Sequence, residues 1–195
     1  MKRFLPVFIC VGIMLLLLPF SYESSTSKAN TYPNLPAPIA KEKVLVTSSG
    51  QAVEGAIVNS IAENLNLEVD YRPRALASDL YEYNSVIVVV GYSKTGLSHT
   101  LRNFKEEMNR SKQLVKEAES GSLPVILVDL SGVLRDDART FHLIKGILPY
   151  TTYYIGVTPT KQIKVIKQVA RENNIYITLV DRMSEIEIPL NSAFR

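Results

Sequence analysis

A doubly wound α/β domain is predicted by three features: short β-branched runs without polar alternation, amphipathic stretches between them, and Gly- or Ser-bearing turns where one passes into the other. Val86-Ile87-Val88-Val89-Val90-Gly91 and Pro124-Val125-Ile126-Leu127-Val128-Asp129 are apolar on both faces, as strands are inside a mostly parallel sheet covered on two sides by helices. Right-handed crossovers then set the first and third strands side by side at the centre. The expected architecture is three layers around about six strands in flavodoxin-like or Rossmann-like order.

Val44-Leu45-Val46-Thr47 opens the domain as a strand. Past Ser48-Ser49-Gly50-Gln51, the residues Val53, Ile57, Ile61 and Leu65 recur at four-residue steps, one face of a helix. Leu67 to Tyr71 reads as a second strand and Leu76 to Tyr83 as a short helix leading to the third strand, Val86 to Gly91. The longest helix follows, with Leu101, Phe104, Met108, Val115 and Ala118 on its inner stripe and Lys105, Glu106, Arg110, Lys116 and Glu117 on its outer side. Beyond the Gly121-Ser122 break lie the strand Pro124 to Asp129 and a helix from Asp136 to Leu148, stopped by Pro149. A strand Tyr153 to Val157, a helix Thr160 to Glu172 with Ile163, Ile166 and Val169 inward, and an edge strand Tyr176 to Val180 of either direction complete the pattern.

The amino terminus has a different character. Residues 1–29 read as a signal peptide or an N-terminal membrane anchor: Met1-Lys2-Arg3 is basic, Val7 to Leu18 is uncharged, and Ser27-Lys28-Ala29 offers small residues for cleavage. The run from Phe4 to Phe20 contains Pro6, Gly12 and Pro19 and is short for a membrane span, which favours a cleavable signal. Residues 30–41, with Pro33, Pro36 and Pro38, form a linker or arm, and residues 42–195 one domain of ordinary size.

Charge and composition exclude several functions. The chain has 22 Lys and Arg against 19 Asp and Glu; the first thirty residues hold Lys2, Arg3 and Lys28 against Glu23, leaving 19 against 18. A near-neutral body has no footprint for a phosphate backbone, so nucleic acid is not an expected partner. The single Cys10 lies in the apolar run, so the body offers neither a disulfide nor a thiolate metal site. With only His99 and His142 besides, no metal and no cofactor is expected, and membrane contact only through the N-terminal segment.

In such sheets ligands gather beyond the carboxyl ends of the strands, where the strand order reverses. The first loop nominated is Ser48, Ser49, Gly50 and Gln51, where hydroxyls and the free N–H groups of a helix start favour an anion; equally, Ser is a common helix cap. The second is Gly91-Tyr92-Ser93-Lys94-Thr95-Gly96-Leu97-Ser98, in which Lys94 supplies positive charge and Tyr92 a flat wall. Its Gly-x-x-x-x-Gly is followed by Leu97-Ser98 and is not a phosphate-binding P-loop. Asp129 opens the third, running to Asp137, either to orient a ligand hydroxyl or hold a cation, or to cap nearby backbone. Ser48 or Ser49 with a histidine and Asp129 supplies the residue types of a hydrolase triad, but Gly-x-Ser-x-Gly is absent and no dinucleotide fingerprint follows any strand.

Four stretches in order carry a family likeness: Leu45-Val46-Thr47-Ser48-Ser49-Gly50-Gln51, Val88-Val89-Val90-Gly91-Tyr92-Ser93-Lys94-Thr95-Gly96-Leu97, Leu148-Pro149-Tyr150, and Glu172-Asn173-Asn174-Ile175-Tyr176-Ile177-Thr178-Leu179-Val180-Asp181. Together they resemble exported bacterial proteins with the domain of unknown function numbered 6305. The chain differs from that family's pattern at Tyr92 and Thr95, and at Thr158-Pro159-Thr160. The resemblance implies a single α/β domain outside the cytoplasm and carries no reaction. The leading expectation is therefore a small anionic ligand held between the first and third strand loops, by Ser48, Ser49, Gly50, Gln51, Gly91, Tyr92, Ser93, Lys94 and Asp129. A non-enzymatic cell-surface interaction domain is the alternative and a hydrolase the third reading, with no catalytic residue assigned.

Overall fold

The computed structural model describes residues 34–132, 137–160 and 162–195; the predicted export segment lies outside them. The elements run β1 (Val44–Ser49), α1 (Glu54–Asn64), β2 (Val69–Tyr71), a 3₁₀ helix Ala77–Glu82, β3 (Ser85–Val90), α2 (Lys94–Ser98), α3 (Phe104–Ser120), β4 (Val125–Asp129), α4 (Ala138–Ile147), a 3₁₀ turn Leu148–Tyr150, β5 (Tyr153–Val157), α5 (Ile163–Glu172), β6 (Tyr176–Val180), a 3₁₀ turn Met183–Glu185 and α6 (Glu187–Ser192). The six strands form one sheet of order β2-β1-β3-β4-β5-β6, every pair parallel. This is the expected doubly wound order, with β6 parallel at the edge.

Two cores follow from the alternation of side chains across the sheet. On one face Leu45, Val88, Leu127 and Tyr154 pack with Leu80, Leu114, Leu143 and Ile166 of the 3₁₀ helix, α3, α4 and α5. On the other, Val46, Ile87, Val128 and Ile155 meet Val58 and Ala62 of α1. Right-handed crossovers explain the imbalance: β1 to β2 winds one way, while β3 through β6 winds the other and sends three long helices to a single face. The uncovered half of the second face is closed by α6, an element the sequence periodicity leaves unassigned. Ile186, Leu190 and Ala193 join that core, as do Leu35 and Ala40 of the proline-rich arm, whose Ile39 and Ala40 amides donate to the Ala193 carbonyl at 3.0 and 2.9 Å.

Two helix faces differ from expectation. In α1 the fully buried residues are Val58 and Ala62, whereas Val53 is 65% exposed and Ile57 38%. The helix docks through its small residues: a Cβ on Gly55 would stand 2.4 Å from Ser48 Oγ and 2.7 Å from the Tyr71 hydroxyl. Small residues do not register in an apolar stripe, so the periodicity pointed to the neighbouring face. Gly55→Ala is accordingly expected to lower stability by about 1–3 kcal/mol in urea unfolding, since the helix must lift from the sheet. In α3 the helix begins at Phe104, leaving Leu101 in the preceding turn, and Arg110 points inward with Glu107; the pair is buried because each neutralises the other.

Candidate functional site

Successive backbone hydrogen bonds carry the β1–β3 pairing past the sheet and join the first two nominated loops. Gly91 N donates to Ser49 O at 2.9 Å, Ala52 N to Gly91 O at 3.1 Å, and Ser93 N to Gly50 O at 2.8 Å, with Gln51 and Tyr92 forming an isolated antiparallel bridge. The turn depends on left-handed backbone at Gly50 (φ 93°) and Gln51 (φ 62°). Ser48 and Ser49 are buried at the end of β1, and their hydroxyls bond no described group.

Within the first nominated loop, the Gly50 amide is taken by an internal carboxylate. Glu107 is fully buried; its Oε1 accepts from Gly50 N at 3.1 Å, Gln51 Nε2 at 2.9 Å and Arg110 Nη2 at 2.7 Å. Its Oε2 accepts from Arg110 Nε at 2.9 Å and faces Arg102 Nη1 at 3.9 Å. Arg110 also donates to the carbonyls of Ala75, at 2.7 Å, and of Ser48. Gln51 Nε2 reaches Pro73 O at 2.8 Å. Burial alone would raise the Glu107 carboxyl, but Arg110, Gln51 and the Gly50 amide outweigh it and hold the group below its ordinary range. The pair thus ties α3 to the β1 loop and to the segment after β2.

Outside this knot the edge is aromatic and basic. Tyr92 N donates to Thr140 Oγ1 at 3.0 Å, fixing the β3 loop to the first turn of α4, which Asp137 caps by accepting from Arg139 N and Thr140 N, each at 2.8 Å. The Arg139 guanidinium lies 4.7 Å from the Tyr92 ring centroid and 5.9 Å from that of Phe104, donates to the Tyr92 hydroxyl, and is exposed. Tyr92 and Phe104 meet edge-on at 5.7 Å. Lys94 is exposed at the first residue of α2, for which Ser93 Oγ is the cap, accepting from Gly96 N at 3.0 Å. Among the described residues no carboxylate lies within ion-pair distance of Arg139 or Lys94.

Asp129 belongs to a separate cluster. It is buried; Oδ1 accepts from Ser131 N at 2.9 Å and from Ser131 Oγ, and Oδ2 from the Tyr154 hydroxyl at 2.9 Å. Burial, and then the Asp129 charge, push the Tyr154 hydroxyl well above its usual range. Of the remainder of the third nominated loop, residues 133–136 lie outside the described residues. His99 and His142 are exposed, so neither buried serine is paired with an imidazole. No group of three or more His, Cys, Asp or Glu among the described residues is placed to hold a metal ion, and no described helix is long and apolar enough to cross a membrane. Clefts of about 330 and 280 Å³ flank the α3–β4 turn at the amino edge, but each gathers a single charged side chain, Glu119 in one and Lys41 in the other.

Sequence reasoning brought Gly50, Gln51, Gly91, Tyr92 and Ser93 together but missed Glu107, Arg110 and Arg139. The three-residue spacing of Glu107 and Arg110 on one helix was the available signal for the first two. In comparisons with known proteins, the family model described as Domain of unknown function (DUF6305) matches residues 41–194. Neither curated proteins nor solved structures provide a match.

Proposed function

Because the chain belongs to the DUF6305 family, whose description assigns no activity, we propose a role from the geometry of its own carboxyl edge: a binding domain that takes a small anionic ligand at the β1–β3 loops. The observation that carries this reading is Arg139, an exposed guanidinium laid on Tyr92 and Phe104 with no carboxylate partner among the described residues. Stacking and the hydroxyl bond pre-orient its planar fork, so little side-chain entropy is lost when it receives a carboxylate or phosphate. Lys94 adds charge on the same loop, and Tyr92 the wall. Ser48, Ser49, Gly50, Gln51, Gly91 and Ser93 form the floor, with Glu107 holding the Gly50 amide, so the ligand rests on the outer rim. Asp129 is tied to Ser131 and Tyr154 and helps to shape the β4 end of the same edge. The same proposal puts the domain outside the cytoplasm, directed there by the basic start and apolar run of residues 1–29.

A thermal-shift screen of phosphates, carboxylates and nucleotides against the full chain tests the site. Stabilising anions are expected, with affinity falling about tenfold in Arg139→Ala and in Lys94→Ala, the loss of one charge-assisted contact each. Hits that neither substitution weakens would remove this site from consideration.

A further inference from the structure

Leu101 is 97% exposed, more than any other large apolar side chain among the described residues. It is also held there. Its backbone is left-handed (φ 59°), a costly conformation for leucine, in a turn secured by Thr100 N and Thr100 Oγ1 donating to Leu97 O at 2.9 and 2.7 Å and by Arg102 N donating to Thr100 Oγ1 at 3.2 Å. Two further exposed apolar side chains stand around the same knot. Val53 follows Gln51 by two residues, and Leu76 adjoins Ala75, whose carbonyl accepts from Arg110.

The charge beside Leu101 is one-sided, whereas Val53 is followed by Glu54 and the Leu76 amide donates to Asp79 Oδ2 at 2.8 Å. Residues 92–105 contain exposed Lys94 and Lys105 and no carboxylate, while Arg102 turns its Nη1 towards Glu107; exposed Arg74 lies beside Pro73, to which Gln51 is bonded. The nearest acid in the chain, Glu106, is engaged in capping α3, accepting from Asn103 N at 2.7 Å. An exposed apolar tip at Leu101 between Lys94 and Lys105, with Leu76 and Arg74 beyond the same knot, matches an interface whose outer layer is anionic and whose interior is hydrocarbon.

We propose that this edge docks on an anionic lipid surface, Leu101 entering the acyl boundary while Lys94 and Lys105 meet the headgroups. The inference rests on the small-anion reading and deepens it: the anion received at Arg139 is a lipid headgroup phosphate. Each cation at such a surface strengthens binding about fivefold.

The chain contains no tryptophan, so Leu101→Trp makes a sole reporter in the full-length protein. With vesicles rich in phosphatidylglycerol its emission is expected to move to the blue and to be quenched by brominated acyl chains; with phosphatidylcholine alone it is expected to stay red. Tyr81→Trp, exposed in the 3₁₀ helix two residues before Tyr83, reports tethering through the amino-terminal segment and is expected to stay red in both. Combined Lys94→Ala and Lys105→Ala should weaken the anionic-vesicle response more than tenfold. An unmoved Leu101→Trp emission, or the same blue shift with both lipids, overturns the inference. Inorganic phosphate, followed by thermal shift in wild type and Arg139→Ala, reads the small-anion site alone: stabilisation lost in Arg139→Ala, without a blue shift at position 101, keeps that reading and removes the lipid surface.

Discussion

Glu107→Gln is expected to destabilise the domain by about 3–5 kcal/mol, the usual cost of removing one partner from a buried ion pair. The substitution leaves the Arg110 guanidinium uncompensated where the wild-type carboxylate receives it at 2.7 and 2.9 Å, and weakens the acceptor for the Gly50 amide. Equilibrium unfolding in urea measures the loss. A double variant, Glu107→Leu with Arg110→Met, should recover part of it, because two apolar groups leave no charge unpaired. The pH dependence has a definite sign. Glu107 is held below its ordinary value of 4.5 in the fold, so its contribution is present in full above that value and is lost as pH falls through the lower folded value. Wild type should therefore lose stability on acidification more steeply than Glu107→Gln. Parallel profiles for the two proteins would contradict the assigned role of the carboxylate.

Gly50→Ala is expected to cost about 2–4 kcal/mol, combining strain at a left-handed residue with overpacking. The added Cβ would lie 2.4 Å from the Gly91 carbonyl oxygen and 2.6 Å from Leu143 Cδ1. The first of these is backbone and cannot rotate away. Relief requires parting the β1 and β3 loops, which breaks the Ala52-to-Gly91 and Ser93-to-Gly50 hydrogen bonds. Amide hydrogen exchange should accordingly quicken at Ala52 and Ser93 in this variant, while the centre of β4 stays protected. A drop in stability with unchanged exchange at those two amides would place the strain elsewhere.

Much of the fold was legible because of how parallel sheets are buried. Val86 to Val90 and Val125 to Val128 carry no polar residue to turn outward, so helices had to lie on both sides, and the central β1–β3 pairing followed from crossover handedness. α6 was not legible. It is six residues long, contains Pro189 and begins with Glu187, and its apolar residues matter only because three other helices crowd the opposite face. The N-terminal arm is similar: Leu35 and Ala40 lie in a proline-broken stretch without strand or helix periodicity and acquire a place only when α6 is there to receive them.

The site divides in the same way. Gly50 and Gly91, at the ends of two apolar strands, located the edge where loops converge, since chain direction and strand order are local consequences of composition and handedness. What fills that edge depended on side chains far apart in sequence. Glu107 reaches back 57 residues to the Gly50 amide, and Arg139 lies on Tyr92 from 47 residues away. By itself the sequence determined a mostly parallel α/β domain of about six strands and where its loops meet, leaving the direction of the last strand open. Only the tertiary structure decided that an internal carboxylate occupies the inner anion position and that a stacked arginine faces solvent outside it. The reason is physical: secondary structure follows from local periodicity, whereas a buried charge is tolerated only where its partners arrive from elsewhere in the chain.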